Sequence, residues 1–465
     1  MAAEGSQLWA KDLPLHQAIH RFTVGEDPID DLNLLPWDAV GSAAHARTLA
    51  WHGHLPLTEA FTLVQALKDL HAEALAGRIE IRPEQEDGHT ALEAALVERT
   101  GESGKRIHMG RSRNDQVILA QRLYTRDTLL GIGHQVADTA KAFLALAARY
   151  RDVAMPGYTH MRRGMPSSWG LWGAAFAEGL IEELEALQAL LDRLDRCPSG
   201  AAAGFGAPLP FDRAFMAKQL GFAKVQRSPI DVMNSRGRHE GAVADWLASV
   251  AGVLERAFWD LALFSMEELG FVALPDAFTT GSSIMPQKRN PDVVELSRGT
   301  CRKLRGQAAL VHEIAGGLPS SYHRDIQLLK GAFIGTLKTA SGMFAVLPAL
   351  LEGITVNAAK CAEACSDDLW AAHEATALAM EGMPFRDAYK IVGKQVLDGS
   401  FHPDRAKFGV SSTPDLEAPA SELQALAEQL RKRQNAWNAA VELLWTAPIA
   451  VSSPSQTNSS FPEVP

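Results

Sequence analysis

The chain has 465 residues and a formal net charge of −10, because 55 aspartates and glutamates outnumber 45 lysines and arginines. This acidic balance argues against a general nucleic-acid-binding or anionic-membrane surface, so any anion site must be a local basic patch. Hydrophobic residues make up 46% and charged residues 22%, as in an ordinary soluble globular protein. The length predicts two or three domains, or one architecture of long helices.

The cysteines and the apolar stretches exclude further classes of protein. Four cysteines in a chain of this length do not indicate a disulfide framework. Cys361 and Cys365 lie four residues apart in a helical pattern, but no second pair accompanies them to complete a metal site. Residues 1–5 lead straight into mixed polar sequence, so no signal peptide is expected. The one long uncharged stretch, 443–462, is rich in serine and is broken by Pro448 and Pro454. The sequence therefore predicts a cytoplasmic protein without a membrane span.

The first hundred residues are predicted to be partly irregular and partly helical. Prolines and acidic residues up to about residue 56 favour irregular structure, with helical patterning near Val40–Ala50. A second helix is predicted at Thr58–Leu75, with Thr58 as its N-cap, and a third begins near Thr90. Just before it, Glu86-Asp87-Gly88-His89 can either bind a ligand or cap the helix.

A cluster of cations precedes the longest predicted helix. Ser112 is expected to cap a helix that runs to about Ala148. Because Arg111 and Arg113 stand beside this helix start, it is a candidate anion site. For an isolated stretch, a solvated and charged helix start is the commoner arrangement, so spacing alone leaves both interpretations open.

Long apolar helical patterns dominate the rest of the chain. They are predicted at 167–195, 241–264, 291–314 and 324–350, the last of them interrupted at Pro348. Shorter helices are expected from about residue 355, and a disordered tail rich in proline, serine and asparagine from about residue 446. The sequence shows no strand alternation of consequence.

Two loops between the helices carry polar side chains. Residues 156–160, Pro-Gly-Tyr-Thr-His, predict a turn that ends in a titratable ring, although a lone histidine is more often structural than catalytic. A second loop opens with Gly281-Ser282-Ser283 and ends at Asn290-Pro291, where a helix is predicted to begin. Small residues and cations at a helix N-terminus can hold an anion. A surface loop with a well-capped helix is an equally good interpretation of the spacing.

These polar stretches resemble the signature motifs of one enzyme family. Residues 281–292 resemble the signature loop of the fumarase/aspartase superfamily, in the form found in its argininosuccinate lyase branch. Residues 110–116 and 156–160 resemble two further motifs of that branch, and the resemblance spans about residues 20–395. The sequence departs from the family pattern at Met109, Arg162, Met165 and His323.

The resemblance implies an all-α fold of three helical domains with a central bundle of long helices. It predicts a mostly helical N-terminal domain at 1–110, a central long-helix domain at 111–355, a small helical domain at 356–445 and a disordered tail at 446–465. It also implies a homotetramer with a helical core, whose active sites are shared between subunits.

The motif-like polar residues indicate where a site lies and which reactions it can carry out. These residues are confined to a few stretches, which favours one site formed by separate loops. The sequence contains no phosphate-binding glycine loop and no metal-ligand set, so we expect a reaction carried by side chains alone. Elimination next to a carboxylate fits, because a base can remove a Cβ proton, fixed cations stabilise the developing charge and an acid protonates the leaving nitrogen.

The resemblance implies a reaction and the residues that carry it. The expected reaction is the reversible cleavage of L-argininosuccinate to L-arginine and fumarate, a step of arginine biosynthesis, without cofactor or metal. Ser282 is the implied general base, and Lys288 stabilises the carbanion intermediate. His160, oriented by Glu295, assists protonation of the leaving group. The implied substrate-binding residues are His89, Arg113, Asn114, Thr159, Ser283, Asn290, Tyr322, Gln327 and Lys330.

Alternatives remain open at the level of the sequence. Adenylosuccinate lyase also releases fumarate by breaking a C–N bond, and the departures from the family pattern leave room for a lyase of another N-substituted aspartate. A non-catalytic, crystallin-like protein of the same fold is the alternative from another class. The expected partners are a small-molecule substrate and further copies of the chain, and neither nucleic acid nor a membrane.

Overall fold

The computed structural model describes residues 17–409 and 412–451. Helices make up most of this part of the chain, so the all-α prediction is confirmed. They pack around two large hydrophobic cores that share one long helix, Arg113–Arg149. The helices that precede it are α1 Gln17–Val24, α2 Asp27–Asp30, α3 Leu35–Trp51, α4 Leu57–Leu75 and α5 Gly88–Thr100.

Helix α3 confirms the helical patterning predicted near Val40–Ala50, but it starts earlier and so corrects the prediction of irregular structure before residue 40. It begins at Leu35, has Pro36 in its first turn and is almost wholly buried. Small and apolar residues lie on every face of α3, so no amphipathic period in the sequence marked where it starts. A helix that is apolar all round belongs inside a core, and α3 lies at the centre of the N-terminal one.

The caps of α4 and α5 differ from each other and from the prediction. Thr58 is not an N-cap, because α4 begins one residue earlier at Leu57 and has no side-chain cap. In α5 the capping residue is Asp87, whose Oδ1 accepts a hydrogen bond from the Thr90 backbone N–H at 2.8 Å. The capping interpretation of the segment before His89 is therefore confirmed for Asp87.

The long helices predicted from the sequence form the central bundle. Ser112 caps α6, Arg113–Arg149, as predicted: its hydroxyl accepts from the Asn114 N–H, and the Asp115 carboxylate accepts from the Ser112 N–H at 3.0 Å. The bundle core holds large side chains that are fully buried, among them Phe143, Trp169, Phe258, Phe333 and Phe344. The helices that follow α6 are α7 Trp169–Leu194, α8 Arg213–Gln219, α9 Pro229–Asn234, α10 Arg238–Phe264, α11 Asp292–Ala315, α12 Gln327–Phe344 and α13 Leu347–Gly353.

A β-hairpin connects α6 to α7, where the sequence predicted only a turn. Strands β1, Ala154–Thr159, and β2, Arg162–Ser168, pair antiparallel across a turn at His160 and Met161. Both turn residues have positive φ, 54° and 58°. Asn-Gly pairs usually supply that geometry, so a His-Met turn gave no hairpin signal and the prediction of no strand is wrong here. The remaining strands are the parallel pair β3 Arg196–Cys197 and β4 Lys224–Val225 and the antiparallel pair β5 Val272–Ala273 and β6 Thr355–Val356.

The C-terminal third contains one long helix that the sequence pattern did not predict. The helices here are α14 Ala358–Ala364, α15 Ala371–Met380, α16 Phe385–Asp398, α17 Arg405–Phe408 and α18 Glu417–Thr446. With 30 residues, α18 shows that the prediction of only shorter helices after residue 355 is wrong. It packs along α6 and α7 and places Leu430 and Trp437 in the bundle core, whereas α15 and α16 share a small core of their own. The division into four segments stays a prediction.

The predicted disordered tail begins with residues that the fold holds in place. The Arg47 guanidinium donates hydrogen bonds to the carbonyls of Leu444, Ala447 and Pro448 at 3.2, 2.9 and 2.9 Å. These bonds satisfy carbonyls at the end of α18, which would otherwise lack a partner. The disorder prediction is therefore wrong for the first residues after 446, and its remainder, 452–465, lies outside the described residues.

One helical stretch has the length and composition of a membrane span. Residues Arg324–Gly353 pass that test, and half of the apolar window is buried inside the protein. Phe333 and Phe344 of this stretch lie in the bundle core. A core helix passes the same test of length and hydropathy, so the stretch is weak evidence for a membrane span.

Candidate active site

The starts of three helices surround a cavity of about 360 Å³. Helices α5, α6 and α12 each contribute side chains from their first turn, although they are far apart in the sequence. The structure thus brings part of the predicted set together in one cavity, and their role as one site stays a prediction. The predicted substrate-binding residues that line the cavity are His89, Arg113, Asn114, Tyr322, Gln327 and Lys330.

His89 is held in the cavity wall by a buried ion pair. Its Nδ1 lies 2.6 Å from Oδ2 of Asp38, and the Gln116 side-chain amide donates to the same carboxylate at 2.8 Å. Burial alone would lower the pKa of His89, but Asp38 raises it above the usual value of 6.5. Burial likewise opposes ionisation of Asp38, yet the charge of His89 brings the pKa of Asp38 below its usual value. Both shifts favour the charged pair of imidazolium and carboxylate. Nε2 of the ring is buried without a hydrogen-bond partner among the described residues.

Lys330 is the most deeply buried cation of the cavity. Its Nζ lies 2.5 Å from Oδ1 of Asp31 and 3.0 Å from Oδ1 of Asp27. Burial would lower the pKa of Lys330, but the two carboxylates raise it above its usual value. Asp31 also accepts a hydrogen bond from the Gly88 N–H at 2.8 Å, so it joins Lys330 to the start of α5. This ion-pair cluster fixes the floor of the cavity.

Two acidic side chains of the cavity, Asp27 and Asp31, were not among the predicted site residues. Asp27 lies in a run that resembles the family, Arg-Phe-Thr-x-Gly-x-Asp-Pro at 21–28, so a signal for it was present, but none marked Asp31. Burial raises the pKa of Asp27 to about 6, although the charge of Lys330 opposes the rise. The acidic residues on the wall are Asp27, Asp31, Glu86 and Asp87. The arginines and the lysine on the same wall are Arg113, Arg236, Arg324 and Lys330. A cavity wall with both positive and negative side chains suits a ligand that carries both positive and negative charges.

Arg113 and Gln327 both contact neighbouring elements as well as lining the cavity. The Arg113 guanidinium donates to Oδ2 of Asp87 at 2.8 Å and to the Thr90 hydroxyl at 2.7 Å, which joins the starts of α5 and α6. The Gln327 amide donates to the carbonyls of Thr23 and Val24 at 2.8 and 3.2 Å, which fixes the end of α1 at the cavity rim. Both residues therefore hold the wall together.

The predicted catalytic loop, residues 281–290, lies outside this cavity. The backbones of Thr280 and Asn290 bond to each other at 2.8 and 3.2 Å and close the loop. Asn290 is thus not a helix cap, and α11 begins at Asp292 instead of at 290 as predicted. Within the loop the Ser282 hydroxyl accepts from the N–H groups of Ile284 and Met285 at 3.3 and 3.1 Å. Two donors at one hydroxyl oxygen favour its deprotonated form.

The other predicted catalytic groups, and two predicted substrate-binding residues beside them, are exposed. The catalytic His160 and the substrate-binding Thr159 lie at the tip of the hairpin β1–β2. The catalytic Lys288 and Glu295 and the substrate-binding Ser283 are open to solvent as well. The carboxylate of Glu295 lies 3.9 Å from the Arg298 guanidinium. Among the described residues no hydrogen bond or ion pair joins Glu295 to His160, so the predicted orientation of His160 is not formed within one chain. The predicted site residues that do not line the cavity are Thr159, His160, Ser282, Ser283, Lys288, Asn290 and Glu295.

The part of the chain that the structure describes contains no group of three or more histidine, cysteine, aspartate or glutamate side chains placed to hold a metal ion. Cys361 and Cys365, the pair noted in the sequence, are both buried free thiols. The Trp169 indole donates to the sulfur of Cys361 at 3.3 Å, and Cys361 packs in the bundle core. The pair therefore serves helix packing, as predicted.

Comparison with known proteins places the chain among lyases. A protein-family model described as "Lyase" matches residues 16–306. An argininosuccinate lyase of Sorangium cellulosum is 45% identical over 390 residues, which is 84% of this chain and 90% of the relative. The argininosuccinate lyase of Phocaeicola vulgatus is 39% identical over 404 residues, with coverage of 86% and 90%. That of Thermotoga neapolitana is 36% identical over 389 residues, with coverage of 84% and 98%.

Solved structures share the fold at lower identity. An EDDS lyase in complex with formate superposes with a TM-score of 0.74 at 22% identity, over 93% of this chain and 95% of that one. A class II fumarase from Schistosoma mansoni superposes with a TM-score of 0.71 at 17% identity, over 92% of this chain and 96% of the fumarase. A fumarate lyase:delta crystallin from Brucella melitensis superposes with a TM-score of 0.70 at 19% identity, over 90% of this chain and 94% of that one. At these identities the likeness shows the fold alone.

Proposed function

The chain belongs to the argininosuccinate lyases of this lyase family, and we propose that its mixed-charge cavity binds the substrate while exposed loops perform the elimination. The enzyme is a carbon–nitrogen lyase that converts L-argininosuccinate into L-arginine and fumarate. The observation that carries the binding proposal is that one cavity of about 360 Å³ is lined by carboxylates as well as cations. The carboxylates are Asp27, Asp31, Glu86 and Asp87, and the cations are Arg113, Arg236, Arg324 and Lys330.

The charges on the wall match those of argininosuccinate. The substrate carries carboxylates together with an α-amino group and a guanidinium group, so it has partners for both signs. Charges that leave water need partners of opposite sign, and the wall supplies them for each end of such a molecule. Adenylosuccinate carries a phosphate instead of the amino and guanidinium groups. The cluster of carboxylates around Asp27 and Asp31 would repel that phosphate, which favours argininosuccinate.

His89 supplies a fixed donor in this cavity. Asp38 holds the ring protonated through Nδ1, which leaves Nε2–H without a partner in the wall. We assign Nε2–H to a carboxylate of the substrate, because a charge-assisted hydrogen bond satisfies the donor. Arg113, Asn114, Tyr322 and Gln327 bind the remaining polar groups of the substrate, in keeping with their positions on the wall.

In the proposed chemistry, Ser282 removes the Cβ proton of the succinyl group. The electron pair delocalises into the neighbouring carboxylate, and Lys288 stabilises the charge that forms there. The C–N bond then breaks, a C=C bond forms to give fumarate, and the departing nitrogen of arginine takes a proton from His160, which Glu295 orients. The two N–H donors at the Ser282 oxygen support its role as base, because they stabilise the alkoxide. Ser283, Asn290 and Thr159 bind the substrate from the same loops.

Other subunits bring these loops to the cavity in the proposed enzyme. The loop at 281–290 and the tip of the hairpin are exposed in one chain and do not line the cavity. A homotetramer with shared active sites would supply them from neighbouring chains. Exposed apolar side chains on the long helices, such as Trp259 and Leu296, support association through the bundle. Action in the cytoplasm belongs to the same proposal, in keeping with relatives that are metabolic enzymes.

The substrate is tested by following the ultraviolet absorbance of fumarate with each candidate in turn. We expect fumarate release from argininosuccinate and none above background from adenylosuccinate. Equal or faster release from adenylosuccinate would contradict the assignment of the acidic wall to the amino and guanidinium groups. Silence with both substrates from folded protein would contradict the lyase function itself.

A further inference from the structure

A second, larger concavity lies at the same end of the bundle and is strongly basic. It has a volume of about 1330 Å³ and is bordered by β3, β4, α8, the start of α10 and the C-terminal half of α18. We call it the basic groove, defined by Arg193, Arg196, Lys224, Arg227 and Arg238. Lys218 and Arg433 also line it, whereas its acidic residues are only Asp195 and Asp231. A local excess of cations on a chain with a net charge of −10 needs a physical explanation.

Most of these cations have no acidic partner. Arg238 pairs with Asp231 at 2.7 Å, and Arg433 pairs with Asp192 at 2.6 Å. Within residues 17–409 and 412–451, no ion pair involves the others. The cations without an ion pair there are Arg193, Arg196, Lys218, Lys224 and Arg227. Asp195 accepts a hydrogen bond from the Ala223 N–H at 3.0 Å, and one carboxylate cannot balance five cations.

The strand pairing brings two of the unpaired cations directly together. In the parallel pair β3–β4, Arg196 and Lys224 are register partners. Both side chains are exposed on the groove. Like charges directly opposite each other across a strand pair destabilise it. An anion bound between the two side chains would remove this repulsion.

His239 on the groove wall is affected by the positive charge of these cations. The Arg122 guanidinium can only donate, and its Nη2 lies 2.6 Å from Nδ1 of His239, so the neutral ring carries its hydrogen on Nε2. Burial, together with the charges of Arg122, Arg238, Arg193 and Arg196, lowers the pKa of His239 to about 2. The ring is therefore neutral at physiological pH and offers Nε2–H as a donor. The cations around it keep the groove positive over the same range.

We propose that the basic groove is a second ligand site, which binds a small polyphosphate anion across Arg196 and Lys224. Guanidinium groups bind phosphate oxygens through paired hydrogen bonds, and several lie within one concavity here. A volume of about 1330 Å³ exceeds the needs of a single phosphate and suits a chain of phosphoryl groups, either free or attached to a nucleoside. The groove shares no lining residue with the substrate cavity, although Arg236 of that cavity and Arg238 of the groove are two residues apart.

Calorimetric titration of the full-length protein with tripolyphosphate at low ionic strength tests the site. We expect saturable binding to wild type, weakened at least tenfold in the double variant Arg196→Ser with Lys224→Ser. The matched control is Lys68→Ser with Arg78→Ser, which removes the same charge from exposed positions outside the groove. Its affinity should stay within twofold of wild type. Titration with ATP then shows whether a nucleoside adds affinity to the phosphate chain.

Three results would overturn the proposal. Wild type that takes up neither tripolyphosphate nor ATP has no such site. Equal weakening in both double variants would mean a general charge effect, and unchanged binding in the groove variant would place the anion elsewhere, for example in the substrate cavity. Thermal melts without ligand show whether the groove variant is folded. We expect it to be at least as stable as wild type, because the repulsion between Arg196 and Lys224 is gone.

Discussion

The substrate cavity and the loop at 281–290 differ in how firmly the fold holds them. In the cavity, Lys330, His89, Asp31 and Asp38 are buried and paired within one chain, and the half-buried Asp27 joins them. In the loop, Lys288 is exposed, and among the described residues Ser282 bonds only to the backbone of its own loop. The cavity is therefore expected to contribute to stability as well as to binding. The loop at 281–290 has room to contact a partner subunit or a substrate.

The largest expected effect is a loss of activity with little loss of stability when Ser282 in the loop is replaced. Ser282→Ala should lower kcat about 10²–10⁴-fold, because the proposed base is lost. It should change the free energy of unfolding by less than about 0.5 kcal/mol, because the loop makes few contacts. Fumarate release and urea unfolding measure the two quantities. An activity within tenfold of wild type would remove Ser282 from the role of base.

The same substitution at two lysines compares the regions directly. Lys330→Met should destabilise the protein by about 3–5 kcal/mol, because Asp27 and Asp31 are left as buried carboxylates without their cation. Lys288→Met should change stability by less than about 0.5 kcal/mol, because Lys288 is exposed. Both variants should lose activity. Similar unfolding free energies for the two would contradict the contrast between a held cavity and an open loop.

The ion pair of His89 and Asp38 should make stability depend on pH. The pKa of His89 lies above 6.5, so its share of the stability is complete below pH 6.5 and is lost as the pH rises through the folded-state pKa. The pKa of Asp38 lies below 3.8, so its share is present above pH 3.8 and is lost as the pH falls through the folded-state pKa. The contribution of this pair to the free energy of unfolding is therefore greatest between pH 3.8 and pH 6.5.

Asp38→Asn should cost about 1–3 kcal/mol near pH 6 and remove this pH dependence, because His89 then loses its proton. Asp367→Asn is the matched control, since Asp367 pairs with His402 on the surface, and its effect should be under about 1 kcal/mol. Urea unfolding across the pH range measures both variants. Equal losses in the two would show that burial does not distinguish the pairs.

The smallest effect concerns the cap that positions the cavity wall. Ser112→Ala should destabilise the protein by about 1 kcal/mol, because the start of α6 loses its hydroxyl acceptor. Ser112→Asp should retain most of the stability, because its carboxylate can accept the same bond. A melt of each variant tests the pair. If Ser112→Asp is as unstable as Ser112→Ala, capping is not the reason for the serine.

The sequence predicted features that depend on local chemistry. A serine cap before a long apolar pattern correctly predicted α6, and the resemblance selected six residues that the fold brings to one cavity. Features that depend on tertiary context were missed. The start of the buried helix α3, before Val40, was missed because the helix has no polar face, and the hairpin turn at His160 and Met161 uses residues that are uncommon with positive φ. Asp31 gained its role only from burial beside Lys330.

The predicted site residues outside the cavity show a second limit of prediction from the sequence. Ser282 and His160 stand out in the sequence, but within one chain His160 is exposed and Ser282 is half-buried in its own loop, away from the cavity. Their relation to the cavity depends on how subunits associate, which neither a motif nor the fold of one chain specifies. The residues of the basic groove carried no motif, and the pairing of β3 with β4 brought Arg196 and Lys224 together.

In the proposed enzyme, the cavity and the loop of one active site come from different chains, and mixing inactive variants tests this most directly. Ser282→Ala alters the loop and Arg113→Gln alters the cavity, so hybrids of the proposed tetramer would contain some sites with both regions intact. Refolding the two variants together should therefore restore fumarate release well above the sum of the separate variants. The control mixture, Ser282→Ala with Lys288→Met, damages every loop and should restore none. Activity no higher than that sum in the first mixture, as in the control, would contradict the shared active site.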